Sequence, residues 1–139
     1  MRNLKMILFA GLLLCAASVV SVSAQDSMMM KEANPKNPTV AIIRADWCSA
    51  CKEVEPIIDD LMHTYGNKLN LVVLDVSNDD STAKAAETAK SLGLTNFFEA
   101  NKKSTSTVGI FKNKKQVFKT THNPDRAAYV AAFDKAIKS

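Results

Sequence analysis

Two cysteines separated by two residues, Cys48 and Cys51, are the side chains whose spacing points most directly to chemistry. They lie in the segment Trp47-Cys48-Ser49-Ala50-Cys51-Lys52, after an apolar run and at the start of an amphipathic one. At a helix start the two cysteines can share one face and close a small disulfide ring. The first sulfur would then lie over backbone N–H groups that have no partner within the helix. Those groups favour a thiolate, the nucleophile of thiol–disulfide exchange, so the motif predicts a redox-active pair.

A structural disulfide and a zinc site are the alternative interpretations of such a pair. The loss of chain entropy predicts that a disulfide stabilises the fold by roughly 2 kcal/mol when it closes a four-residue ring and by roughly 3 kcal/mol when it closes a fifteen-residue ring. A disulfide between these two cysteines would therefore contribute comparatively little to stability. His63 and His122 could complete a set of four zinc ligands, but their spacing matches no zinc-finger pattern. We expect both histidines to be ordinary surface residues, and no metal is predicted.

The first 24 residues have the pattern of a secretory signal peptide. Arg2 and Lys5 form a positive n-region, residues 7–17 are apolar, and Val22-Ser23-Ala24 is a small-residue cleavage site before Gln25. The apolar stretch is too short to span a bilayer comfortably. The sequence therefore predicts Sec-type export, with cleavage near Ala24-Gln25 and a periplasmic or secreted mature protein.

Removal of this segment would leave Cys48 and Cys51 as the only cysteines of the three in the chain. Lipidation at Cys15 would make the protein a lipoprotein instead, but the bulky Leu14 before it fits poorly with cleavage there. Loss of Arg2 and Lys5 lowers the formal net charge from +4 to +2. That balance gives no argument for binding nucleic acid or a membrane surface.

The elements that must position the cysteines follow from hydrophobic periodicity and turn residues. Residues 25–38, with Met28-Met29-Met30, are expected to be a mobile or loosely docked lead-in, and residues 39–139 to form one domain. The predicted elements are a strand over Thr39–Arg44, a helix over Ser49–Tyr65, a strand over Leu69–Val76, a helix over Thr82–Leu92, strands over Thr107–Phe111 and Gln116–Thr121, and a last helix capped by Asn123 with Pro124 at its first position.

This order predicts an α/β fold with helices on both faces of a small central mixed sheet. The strand over Leu69–Val76 is so continuously apolar that we expect it to be buried on both faces. Phe97 and Phe98 indicate only a short docked turn between the second helix and the hairpin. Pro56 lies inside the first helix, where a missing N–H donor should produce a kink.

The motif Ala45-Asp46-Trp47-Cys48-Ser49-Ala50-Cys51-Lys52, followed by Glu55-Pro56-Ile57-Ile58-Asp59, resembles the strand-to-helix junction at the active site of thioredoxins. Residues 72–76 and 107–113 resemble the third and fourth strands of that family. The resemblance covers about residues 39 to 138 and lacks an obvious first strand and helix. It implies a thioredoxin-like fold and a thiol–disulfide oxidoreductase that uses no cofactor besides the Cys48–Cys51 disulfide.

The resemblance also implies roles for individual residues. Cys48 would be the attacking, more exposed thiol and Cys51 the buried resolving one, while Trp47 would shield the disulfide. The intervening Ser49-Ala50 pair would tune the reduction potential, and it is typical of neither reducing nor oxidising family members. Pro56 stands where the family has its kinking proline. Independently of the resemblance, the charge of Lys52 would help to lower the pKa of Cys48, whereas Asp46 and Glu53 would oppose that effect.

Three positions depart from the family pattern. Ile42 stands where thioredoxins carry a buried carboxylate, and Val73 stands near the place of the lysine that often pairs with it. Ser106 takes the place of the cis-proline that faces the cysteines. A non-proline cis peptide costs about 3–4 kcal/mol, so we expect a trans peptide before Ser106 and a rebuilt loop over residues 96–104.

These departures leave more than one function open. The expected partners are protein thiols or disulfides, with a membrane electron-transfer partner if the protein is a reductant, and we expect a monomer that binds no nucleic acid. One rival is a periplasmic copper(I)-binding module that uses Cys48 and Cys51, with thioethers from Met28-Met29-Met30. Another is a redox-inert interaction domain.

Overall fold

A computed structural model describes residues 33–139 of the chain. The predicted signal peptide, Cys15 and Met28-Met29-Met30 lie outside the described residues. The elements are, in order, β1 (Thr39–Arg44), α1 (Ser49–Tyr65), a 3₁₀ turn (Gly66–Lys68), β2 (Asn70–Asp75), α2 (Asp79–Ser91), α3 (Thr95–Asn101), β3 (Thr107–Lys112), β4 (Lys115–Thr121) and α4 (Arg126–Lys138). None of the helices in this part of the chain is long and apolar enough to cross a membrane.

The four strands form one mixed sheet in the order β2-β1-β3-β4. β1 is parallel to β2 and antiparallel to β3, and β4 is antiparallel to β3. Successive side chains of a strand point to opposite faces. Val40 and Ile42 of β1 accordingly pack with α1 and α4, whereas Ala41 and Ile43 pack with α2 and α3. The predicted fold class, with helices on both faces of a mixed sheet, is confirmed.

Three helix predictions need correction. α2 begins at Asp79 rather than Thr82, because Asn78 caps it: the side chain of Asn78 accepts from the N–H of Ser81 at 2.9 Å. The segment predicted to be a docked turn is the helix α3, and its residues Phe97 and Phe98 are buried. The cap of α4 is Asp125, whose carboxylate accepts from the N–H of Ala127 at 2.9 Å, so Asn123 and Pro124 precede the helix.

The prediction that β2 is buried on both faces is wrong at Val73. Val72 and Leu74 are buried against α2 and α3, but Val73, on the opposite face, is 49% exposed. The physical reason is position, because β2 is an edge strand among the described residues and α1 covers the more central strands.

The segment that leads into β1 docks at the start of β2. The N–H of Asn34 donates to Oδ1 of Asn70 at 3.1 Å, and Nδ2 of Asn70 donates back to the carbonyl of Asn34 at 2.8 Å. The N–H of Asn70 donates to the carbonyl of Pro38 at 2.9 Å. These bonds tie residues 34–38 to the end of the sheet opposite the cysteines.

Candidate active site

Cys48 and Cys51 are joined by a disulfide at the start of α1, with their Cα atoms 5.3 Å apart. A turn closed by the N–H of Cys48 and the carbonyl of Ala45, at 3.0 Å, follows β1 and brings the chain to the helix. Cys48 is the N-cap residue, and its Sγ accepts from the N–H of Cys51 at 3.1 Å. The first sulfur thus occupies the position where an anion is stabilised by the helix N-terminus.

Both cysteine residues are buried within an otherwise apolar cluster. Cys48 is 5% exposed and Cys51 is 1% exposed, and both pack with Ala45 and half-buried Ala50. Ser49 and Lys52 are exposed. This ordering agrees with the attacking role predicted for Cys48 and the resolving role predicted for Cys51, which remain predictions.

The indole of Trp47 lies at the surface beside the pair. Its side chain is 64% exposed, and its Nε1 donates to the carbonyl of Ser77 at 3.2 Å. The Oγ of Ser77 also accepts from the N–H of Asp46 at 2.8 Å. The turn between β2 and α2 therefore holds two consecutive residues of the cysteine loop.

Arg44, the last residue of β1, sits in a polar network beneath this loop. Its Nη2 lies 2.9 Å from Asp46, its Nε donates to Glu55 of α1 at 2.9 Å, and its Nη1 donates to Asp75 of β2 at 2.5 Å. The parallel register of β1 and β2 places Arg44 opposite Asp75. One guanidinium thus joins the end of the sheet, the helix and the loop that carry the site.

The pKa values in this network follow from its hydrogen bonds. Partial burial would lower the pKa of Arg44, but its bonds to Glu55, Asp46 and Asp75 outweigh burial and raise the pKa above its usual value. Partial burial would likewise raise the pKa of Asp75. Bonds from the hydroxyl and N–H of Ser77, and from Arg44, outweigh that effect and hold the pKa of Asp75 below its usual range.

Ser106 lies at the same end of the sheet as the cysteine loop. Its N–H donates to the carbonyl of Ile43 at 2.7 Å, and its carbonyl accepts from the N–H of His122 at 3.0 Å. Its side chain is fully buried, its φ is 60°, and its Oγ has no hydrogen-bond partner within residues 33–139. Pro56 is exposed on α1, five residues after Cys51.

The two residues that the resemblance aligns with the family's buried carboxylate and lysine lie in different surroundings. Ile42 is 2% exposed within the core shared by α1 and α4, and Val73 is at the surface. Within the described residues, no group of three or more His, Cys, Asp or Glu side chains could hold a metal ion. His63 and His122, the candidate zinc ligands, are both exposed.

Sequence reasoning missed Arg44 and Ser77 as residues of the site. A signal for Arg44 existed, because a charged residue ends the buried strand that leads to the cysteines and an aspartate ends the next one. Carboxyl ends of neighbouring parallel strands lie at one edge of a sheet, so Arg44 and Asp75 could have been paired from the sequence. Ser77 carried no comparable signal, since its role depends on the path of the turn between β2 and α2.

Comparisons with known proteins agree with this geometry. The thioredoxin family model matches residues 19–123, starting earlier than the resemblance read from the motifs. An H-type thioredoxin of Chlamydomonas reinhardtii is 27% identical over 104 residues, which are 73% of this chain and 89% of that protein. A thioredoxin of Staphylococcus saprophyticus is 40% identical over 43 residues, which are 31% of this chain and 41% of that protein.

A solved structure supports the same fold. The thioredoxin of Malassezia sympodialis superposes with a TM-score of 0.54 at 21% identity, over 73% of this chain and 79% of that one. At this identity the likeness concerns the fold alone. Together with the family match over residues 19–123 and the Cys48–Cys51 pair at the start of α1, it shows that the chain belongs to the thioredoxin family, as a protein of the thiol–disulfide oxidoreductase type.

Proposed function

We propose that this protein works outside the cytoplasm, exchanging its Cys48–Cys51 disulfide with the thiols or disulfides of partner proteins. The observation that carries the proposal is the position of the Cys48 sulfur as N-cap of α1, where it accepts the N–H of Cys51 at 3.1 Å. A thiolate formed there by reduction would keep that donor and the positive end of the helix, which is the environment of a reactive cysteine.

The exchange proceeds in two displacements. The Cys48 thiolate attacks one sulfur of a partner disulfide, forming a mixed disulfide and releasing the other partner sulfur as a thiolate. The Cys51 sulfur, after losing its proton to water, then attacks Cys48. The Cys48–Cys51 disulfide forms, the second partner sulfur leaves as a thiolate, and two electrons have passed to the partner. In the reverse direction the disulfide oxidises a partner dithiol.

The absence of a carboxylate at position 42 has a consequence for the second displacement. Ile42 cannot accept the proton of Cys51, and the nearby core is apolar. Solvent that reaches the pair past exposed Ser49 would have to take that proton. We therefore expect resolution of the mixed disulfide to be slow relative to attack by Cys48.

The extracytoplasmic location rests on the amino-terminal pattern, with its positive n-region, apolar stretch and Val22-Ser23-Ala24 cleavage site. Expression of the full chain in a bacterium with an outer membrane tests it. The expected product is a periplasmic protein whose first residue is Gln25, identified by intact mass. A chain that keeps its first 24 residues and stays in the cytoplasm would contradict this part of the proposal.

Trapping tests the exchange itself. The Cys51→Ala variant should accumulate mixed disulfides through Cys48, visible as adducts on non-reducing gels and lost on reduction. The Cys48→Ala/Cys51→Ala variant is the matched control and should form none. If Cys51→Ala yields no adduct under oxidising conditions, the exchange proposal fails, and the copper(I) and redox-inert alternatives become the better interpretations.

The direction of exchange is set by the reduction potential, measured on the mature protein in glutathione buffers by mass spectrometry. A potential near about −120 mV would identify an oxidant, and one near or below about −270 mV a reductant. A reductant outside the cytoplasm needs electrons from a membrane partner, so that outcome would direct the search for such a protein.

A further inference from the structure

The Arg44 network connects β1, the cysteine loop, α1 and β2 at the candidate dithiol site. Arg44 ends β1, Asp46 lies in the cysteine loop, Glu55 lies on α1 one turn beyond Cys51, and Asp75 ends β2. The guanidinium side chain is 24% exposed, and each of its three nitrogens contacts a different carboxylate. A lysine could not make these three contacts in one plane, because its ammonium is a single point charge.

The network continues from Arg44 to the backbone that carries Cys48. Asp75, held by Arg44, accepts from the N–H of Ser77 at 2.7 Å. Ser77 in turn accepts from the N–H of Asp46 and from the indole of Trp47. The following residue, Cys48, donates its N–H to the carbonyl of Ala45 and so closes the turn that contains Asp46 and Trp47. The cysteine loop is therefore positioned by contacts that converge on one arginine.

The network also sets the local charge. Arg44 offsets one of the three carboxylates that surround it, so two negative charges remain beside the cysteine loop. Asp46, which pairs with Arg44, lies inside the β-turn that the N–H of Cys48 closes on the carbonyl of Ala45, two residues before Cys48. A unit charge this near in the chain affects a thiolate measurably.

We propose that Arg44 is a positioning residue of the dithiol site, which holds the loop of Trp47 and Cys48 in place and offsets the carboxylate charge that the reduced Cys48 meets. The charge part of this role rests on the exchange function proposed above, whereas the positioning part does not. Because the reduced form carries the thiolate, Arg44 stabilises the reduced pair relative to the disulfide.

Three variants separate charge from geometry. Arg44→Met removes both, Arg44→Lys keeps the charge without the three-way contact, and Arg44→Met/Asp46→Asn restores the net charge without the contact.

Two quantities are measured: the equilibrium with glutathione at about pH 8, where a thiolate is populated, and hydrogen exchange of the Asp46 and Cys48 amides by NMR. Arg126→Met is the matched control, since Arg126 pairs with Asp60 at 2.6 Å between α4 and α1, on the exposed surface.

Arg44→Met should shift the glutathione equilibrium about threefold toward the disulfide, which is about 14 mV. Arg44→Lys and Arg44→Met/Asp46→Asn should stay close to the parent protein in this equilibrium. All three Arg44 variants should exchange the Asp46 and Cys48 amides faster, and Arg126→Met should change neither quantity.

Several results would overturn the proposal. Unchanged amide exchange in Arg44→Met would refute the positioning role. Equal equilibrium shifts in all three Arg44 variants, or in Arg126→Met, would refute the charge role. If the parent protein itself does not cycle with glutathione, the exchange function fails, and the charge role with it, while the amide measurements still decide the positioning role. If Arg44→Met does not fold, amide exchange in Arg44→Lys still tests the positioning role.

Discussion

Ser106 combines an unfavourable backbone conformation with an unpaired side-chain hydroxyl. Its φ of 60° is in the left-handed region, which costs a residue with a Cβ about 1–2 kcal/mol, and its buried Oγ has no partner within residues 33–139. The backbone explains why the conformation persists, because the N–H and carbonyl of Ser106 are bonded to Ile43 and His122. Such strain at the end of the sheet that carries a reactive pair is typical of functional sites.

Ser106→Gly should stabilise the oxidised protein by about 1 kcal/mol, because relief of the strained φ and loss of the unpaired hydroxyl exceed the entropic cost of glycine. Ser106→Ala keeps the strain and should gain less. Urea unfolding measures both. A loss of stability in both variants would mean that the hydroxyl is satisfied in solution.

The same backbone predicts the effect of a proline at position 106, where the resemblance places the family's cis-proline. Proline fixes φ near −65° and has no N–H, whereas position 106 has a φ of 60° and donates to Ile43 at 2.7 Å. Ser106→Pro should therefore lower the free energy of unfolding by more than about 1 kcal/mol. A variant as stable as the parent would show that the loop can adopt the family conformation.

At the scale of elements, β3 and α3 meet at a glycine. A Cβ on Gly109 would lie 2.7 Å from Cε2 of Phe97 and 2.9 Å from Cε2 of Phe111. Those two rings pack edge to face, with centroids 5.2 Å apart. The absence of a side chain at position 109 thus lets α3 dock against the face of the sheet that it shares with α2.

Gly109→Ala should destabilise the protein by about 1–3 kcal/mol through overpacking. The double variant Phe97→Leu/Gly109→Ala should lose less than the sum of the two single changes, because the smaller leucine relieves the clash. Urea unfolding of the four proteins gives the coupling. Additive losses would show that Phe97 is not the group that excludes a Cβ.

The pairing of Arg44 with Asp75 at the ends of β1 and β2 should make the free energy of unfolding depend on pH. Folding lowers the pKa of Asp75, so this group contributes stability that is complete above its unfolded pKa, near 3.9, and is lost as the pH falls toward the lowered folded pKa. Asp75→Asn should be less stable at neutral pH and should lose less stability on acidification. Unfolding in urea at a series of pH values between about 6 and 3 tests this. Parallel pH profiles for the two proteins would contradict it.

At the scale of the whole molecule, redox state and stability are linked through the disulfide. The chain-entropy estimate for a four-residue ring is roughly 2 kcal/mol. The free energy by which the disulfide stabilises the fold is the same free energy by which the fold stabilises the disulfide. The apolar cluster of α2 and α3 around the cysteines therefore takes part in setting the reduction potential.

The free energy of unfolding of the reduced protein should be about 2 kcal/mol lower than that of the oxidised protein. Cys48→Ser/Cys51→Ser, which cannot form the bond, should unfold identically with and without reductant and serves as the control. A reduced form as stable as the oxidised one would mean that the N-terminus of α1 stabilises the Cys48 thiolate in the folded protein by as much free energy as opening the disulfide removes.

The sequence predicted those parts of the molecule that depend on local pattern. β1 and α1 have the bounds that their periodicity predicts, and the cysteine pair stands at the helix start as its spacing requires. α3 was missed because it has seven residues and its N-cap residue, Leu94, makes no side-chain capping bond. Its helical state depends on the burial of Phe97 and Phe98, which is a tertiary effect.

By itself, then, the sequence determined the fold class and the reactive pair, because periods of 2 and 3.6 residues and a Cys-x-x-Cys spacing are local properties of the chain. Only the tertiary structure decided how the site is held. Arg44, Asp75 and Ser77 come from different elements and meet only when β1 and β2 align in register. The left-handed conformation of Ser106 is likewise imposed by bonds to residues far from it in sequence, and no local pattern encodes those bonds.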